Sequence, residues 1–175
     1  MSIDEFDARA MYAAMDAQRA AHGLSWPGVA RALWDQSAVL NERRGDHPIS
    51  PATLTGIAKR GDCTCQHALF ILRWLGRVPE DFLSGPAAHR GHVALPPAAE
   101  DRRLRWDLAS VYTALDERRR ERGLTWRELA HALRCTDHQL TGIRTARYAI
   151  GMKLMMRIVQ WLGQPSATFI YPAEW

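Results

Sequence analysis

Apolar residues recur at helical spacing along most of the chain. Leu108, Val111, Tyr112 and Leu115 fall at three- and four-residue intervals, which predicts an amphipathic helix that Gly123 closes. Thr125, three residues before Glu128, makes a capping-box pattern and predicts a second helix from Trp126, with Leu129, Ala130 and Leu133 on its buried face. Thr136 and Gln139 repeat the pattern at once, opening a third helix with Leu140 and Ile143 inward. A fourth helix is predicted over roughly 151–162, carrying Leu154, Met155, Ile158 and Leu162, and a short last turn holds Phe169. No run has the β-branched alternation of a strand, so the predicted class is all-α.

The same pattern occurs twice. "GLSWPGVARAL" (23–33) returns as "GLTWRELAHAL" (123–133), and residues 12–33 align with 112–133 without a gap. Shared positions include Asp16/Asp116, Arg19/Arg119, Leu24/Leu124, Trp26/Trp126 and Ala30/Ala130. The match resumes at "TLTGI" (53–57) against "QLTGI" (139–143), and again at "WLG" (74–76) against "WLG" (161–163). The offset falls from 100 to 86 between the first two blocks, so the first copy carries 14 extra residues, placed at 35–48. Its helix starts use other caps: Ser25 for the second helix, and Ser50 followed by Pro51 for the third. The stretch "SGPAAHRGHVALPPAAED" (84–101) is rich in Pro, Gly and Ala without apolar periodicity, and reads as a linker. The expected organisation is a first domain over 1–84, a linker over 85–101 and a second domain over 102–175.

Two short helices joined by only a few residues make a helix-turn-helix arrangement. Leu129, Ala130, Cys135, Leu140 and Ile143 fall at positions 4, 5, 10, 15 and 18 of a twenty-residue unit starting at Trp126. Small Ala130 lets the third helix approach the second, and the apolar positions fix their crossing angle. With the closing helix and its "WLG", each copy resembles the lambda-repressor-like (Cro-type) DNA-binding family, over about 12–83 and 106–170. The resemblance implies two tandem four- to five-helix bundles, each with its third helix in the DNA major groove.

Carried over by position, the resemblance implies base-facing roles for Asp137, His138, Thr141 and Thr145, beside Thr136 and Gln139, with Arg144 and Arg147 close by. Thr125 and Trp126 would lie near phosphate, where free N–H groups favour an anion. In the first copy the corresponding residues are Ser50, Pro51, Ala52, Thr53, Thr55, Lys59 and Arg60. Pro51 and Ala52 offer only apolar contact, so this set is poorer at reading bases.

Two features depart from the family pattern. Its usual turn glycine is replaced by Arg134 in the second copy and Trp34 in the first. A left-handed Arg would cost roughly 1 kcal/mol or more, which predicts a turn of another shape. The insertion interrupts the first copy's turn. Val29, Leu33 and Leu40 keep near-helical phase, which predicts that the second helix runs on to about Arg44 before "GDHP" breaks it. Such a helix would either shield the third helix from DNA or deliver Arg43 and Arg44 to phosphate.

Charge sharpens the contrast between the copies. Residues 1–88 hold nine Lys/Arg against ten Asp/Glu, whereas 89–175 hold fourteen against nine, and 21 of the 23 basic residues are Arg. Arg suits phosphate and base-edge contacts because its planar fork donates two hydrogen bonds at once. The second copy is therefore the expected main DNA reader. The run "DERRRERG" (116–123) reads first as a solvated helix face with internal ion pairs.

Seven Trp and 47% hydrophobic residues suffice for packed cores. No apolar run approaches the ~20 residues of a membrane span. The acidic opening "MSIDEFDARA" lacks the build of a signal peptide, and three Cys without a secretion signal point to reduced thiols, so a cytoplasmic, soluble protein is expected. "CTCQH" (63–67) invites a metal site, but Cys63 and Cys65 align with the apolar Ile150 and Met152, and a fourth ligand is missing. No nucleophile triad, phosphate-cradling glycine loop or zinc-protease spacing stands out, so neither an enzyme nor a cofactor is expected. The expected function is sequence-specific binding of double-stranded DNA, as a transcriptional regulator. The alternative is a protein-interaction module, in which one or both bundles, the inserted first domain foremost, bind a partner protein or a second copy of the chain rather than DNA.

Overall fold

The computed structural model describes residues 2–85, 93–146 and 149–175. The first half contains α1 (Ala8–Ala21), α2 (Trp26–Asp35), α3 (Ala38–Asn41), α4 (Pro51–Arg60) and α5 (Cys65–Leu75), then a 3-10 turn at Pro79–Phe82. The second contains β1 (Arg103–Trp106), α6 (Leu108–Glu121), α7 (Trp126–Ala132), α8 (Asp137–Thr141) running into a 3-10 turn at Gly142–Thr145, α9 (Met152–Leu162) and β2 (Ile170–Ala173). The chain is mainly helical, compatible with the all-α expectation, and adds one small sheet in which β1 and β2 pair antiparallel, Arg103 opposite Ala173 and Trp106 opposite Ile170. Four-residue strands are too short to announce themselves by alternation. The first half forms only a single bridge there, Phe6 with Leu83.

The helix starts match the caps read from the sequence. Thr125 and Glu128 form a reciprocal box, as do Thr136 and Gln139, while Ser25 and Ser50 accept the amides of Gly28 and Thr53. The shared residues outside the core have a common task. Arg19 donates to Asp16 and to the Leu24 carbonyl while lying over Trp26, which stacks on Tyr12. Arg119 repeats every one of these contacts with Asp116, Leu124, Trp126 and Tyr112. The clamp ties the first helix of each half to the start of the second, with the aromatic faces supplying both stacking and cation–π attraction.

Arg134 takes the left-handed conformation after all, at φ 55°. The turn therefore takes a left-handed residue without a glycine, because Cys135 N–H reaches the Ala130 carbonyl and the Thr136 cap fixes the start of α8. Arg134→Gly is expected to raise the unfolding free energy by about 1 kcal/mol. The ion pair it deletes, Arg134 with Glu5, leaves the arginine 69% exposed and adds little. Urea denaturation measures the change, and a less stable variant would mean that the pair outweighs the backbone strain.

The insertion does not extend α2. The helix stops at Asp35, and α3 is a separate turn reoriented at Gln36–Ser37. Ser37 is completely buried; its Oγ donates to the Arg102 carbonyl and accepts from Arg73. Leu40 N–H donates to the Glu100 carbonyl, and Asn41 Oδ1 and Asp46 receive Arg103. The inserted residues thus form a seat for residues 98–103, the end of the segment between the halves.

Contacts between the halves are reciprocal. Thr64 bridges Gly151, with Cys65 N–H on the Ile150 carbonyl and Met152 N–H on the Cys63 carbonyl. These are equivalent residues in the two copies, each at the start of its closing helix. The lead-in segments also exchange. Asp4 and Glu5 bind α9 through Gln160 and Arg157, while residues 98–104 bind α5 through Arg73 and Gln66. Trp106 Nε1 crosses over to the Cys65 carbonyl at 3.0 Å. Most of the buried apolar side chains form one continuous cluster, with Leu54, Ile57 and Leu69 contributed by one half and Leu115, Leu140 and Met155 by the other.

Candidate nucleic-acid interface

In the second half, α8 and its 3-10 continuation turn only Leu140 and Ile143 inward. Asp137, His138, Gln139, Thr141, Arg144 and Thr145 are all exposed. Asp137 is the sole carboxylate within 137–145, and its Oδ1 already accepts the His138 amide at 2.9 Å. Thr141 and Thr145 hydroxyls donate to the carbonyls of Asp137 and Gly142 and retain acceptor capacity. Arg144 projects without a hydrogen bond or ion pair to any described residue. Its fork is free for an external acceptor.

Four residues assigned by position to this site are engaged in the chain's own caps and clamp. Thr136 and Gln139 cap each other, and the Trp126 ring is half-buried in the Tyr112–Arg119 clamp. Thr125 accepts the Glu128 amide and donates to its carboxylate at 2.8 Å. The Thr125 amide and hydroxyl hold the Glu128 carboxyl below its ordinary value, so an anion stands at this helix start at neutral pH. That geometry suits a cap better than a phosphate contact. Arg147 lies outside the described residues.

The first half presents a comparable but plainer face. Ala52, Thr55, Lys59 and Arg60 are exposed along α4, with Leu54 and Ile57 turned inward. Ser50 and Thr53 bond each other at 2.8 Å, and the Thr55 hydroxyl donates to the Ala52 carbonyl. Arg60 folds back so that Nη2 donates to the Thr53 carbonyl at 2.7 Å. Its charge therefore lies along the helix face. The inserted residues do not cover this face, because they are docked against residues 98–103.

Cys63 and Cys65 are buried in the shared core. Burial is the main cause that pushes both thiols up to about 12, and nearby Asp62 adds to it. Among the described residues no three His, Cys, Asp or Glu are placed to hold a metal ion. No helix among them is long and apolar enough to cross a membrane. Family models, curated proteins and solved structures yield no match to this chain.

Proposed function

We propose that the chain is a sequence-specific binder of double-stranded DNA and a transcriptional regulator, built as two tandem lambda-repressor-like bundles. The observation that carries this reading is the outward face of 137–145: polar, exposed, nearly free of acid, and held by a capped turn. A buried segment, or an outer face lined with carboxylates, would have removed it. The reciprocal bonds at Thr64 and Gly151 support a second element of the reading. Equivalent residues that exchange bonds are related by a local two-fold, so α4 and α8 stand as the two reading helices of a pseudo-dimer within one chain. Such an arrangement suits two half-sites about 34 Å apart, or a near-palindrome.

Selection of bound sites from a random duplex pool tests this directly. The whole chain should enrich a bipartite site, with the stronger half read by 137–145. Arg144→Ala is expected to weaken binding to that site by about 1–3 kcal/mol and to relax specificity at one base pair. On random-sequence duplex the affinity should fall steeply with salt, because phosphate contacts release counterions. No affinity at low salt would instead assign the bundles to protein interaction.

A further inference from the structure

A cavity of about 590 Å³ opens between the start of α4 in the first half and β1 of the second. Arg44, Arg103 and Arg105 line it, and Asp46 is its one carboxylate among the described residues. Asp46 is taken by Arg44 at 2.9 Å and Arg103 at 2.7 Å. Arg105 meets no Asp or Glu side chain among the described residues: its Nε donates at 3.0 Å to a main-chain oxygen of Trp175, the last residue of the sequence, and its guanidinium lies over that ring. Arg103 is 5% exposed at its side chain, and its Nε finds no partner among the described residues. Burial first, then Arg103 and Arg44, lower the Arg105 pKa from its ordinary value, against a smaller opposing effect of Asp46 and Tyr171.

The second half holds the counterpart. Arg134 stands at the position of Trp34, Arg157 at that of Phe70, and Glu5 at that of Arg105. There the Glu5 carboxylate is gripped by Arg157 at 3.1 and 3.0 Å and by Arg134 at 3.1 Å, beside a cavity of about 180 Å³. The chain supplies its own anion on that side. On the other side the anion is replaced by Arg105, the two arginines by a stacked Trp34–Phe70 pair, and the space is threefold larger.

We propose that this cavity binds a phosphomonoester, its phosphoryl group against Arg105 and its organic part on the apolar lining at Trp34 and Pro48. Three guanidinium groups against one side-chain carboxylate leave a surplus of positive charge that suits a phosphate anion. Guanidinium forks match phosphoryl oxygens in geometry, and Ser50 and Thr53 hydroxyls line the same space. The volume falls in the range of small-molecule sites and exceeds what a lone phosphate fills. The proposal holds whether or not the chain binds DNA.

Phenyl phosphate is the probe, titrated calorimetrically into the full chain, with inorganic phosphate, phenyl sulfate and a random duplex as comparisons. Phenyl phosphate should bind saturably and about tenfold more tightly than phenyl sulfate, which has one charge fewer. Arg105→Gln should weaken binding about tenfold, and Arg105→Glu, which installs the carboxylate of the other half, should abolish it. Both variants should keep the far-ultraviolet spectrum and unfolding cooperativity of the parent, and Arg144→Ala should bind phenyl phosphate unchanged. Binding indifferent to both Arg105 variants, or no saturable binding at all, overturns the proposal. Loss of duplex affinity in Arg105→Gln without phenyl phosphate binding in the parent also overturns it, assigning the cavity to the DNA backbone.

Discussion

Replacing Arg73 with Ala is expected to lower the unfolding free energy by about 3 kcal/mol, more than most surface charges contribute. Arg73 sits on α5, half-buried, with no ion pair to a carboxylate among the described residues. Its guanidinium instead donates to Ser37 Oγ at 2.9 Å and to the carbonyls of Gln36 at 2.7 Å, Ala98 at 2.8 Å, Ala99 at 3.2 Å and Arg102 at 3.3 Å. One side chain thereby joins α5, the insertion and the segment leading into β1. Truncation leaves the Gln36 and Ala98 carbonyls without their partner and removes a donor from a fully buried serine. Arg73→Lys should recover only part of the loss, since three donors on a point charge cannot span five acceptors. Urea unfolding gives the magnitude, and trypsin should cut after Arg102 much faster in the Ala variant. An unchanged midpoint would mean that docking of this segment adds nothing to stability.

That hub also marks the limit of what the sequence reveals. Helix existence is legible wherever a local device sets it: the boxes at Thr125 and Thr136, the Ser50–Pro51 start, the glycine after each first helix. The inward positions Leu140 and Ile143, and hence the outward face of 137–145, emerge from period alone. Arg73 is not legible, because on a helix it reads as an ordinary polar position, and its acceptors lie as many as 37 residues away in sequence. The break at Ser37 escapes sequence reasoning on the same ground. Val29, Leu33 and Leu40 keep helical phase across it, but the serine hydroxyl is drawn to a carbonyl 65 residues on. Arg134 errs the other way: local strain argues against a left-handed turn, and the surrounding hydrogen bonds impose one. The exchange of lead-in segments depends on contacts between copies, which repetition within the sequence cannot specify.

Arg103→Met is expected to cost about 2–3 kcal/mol at neutral pH, and the cost should shrink in acid. Arg103 is nearly sealed between Trp34 and Phe70, 4.9 and 5.3 Å from the ring centroids, with its terminal nitrogens on Asp46 and Asn41. Methionine keeps much of the apolar stem, so the loss isolates the guanidinium and its bonds. Burial would raise the Asp46 pKa, but the hydrogen bonds from Arg103 and Arg44 outweigh it and bring the value down to about 2 from an ordinary 3.8. A carboxyl whose folded value is lowered adds stability that is complete above its unfolded value and is lost as pH falls through the folded one. In the variant Asp46 moves back toward 3.8, so its share of the difference between the two proteins narrows from about pH 4 downward and is gone near pH 2. Unfolding free energies at about pH 7, 4 and 2.5 trace that narrowing. A difference that stays constant across the three would assign the whole effect to ring contacts and Asn41, and none to the ion pair.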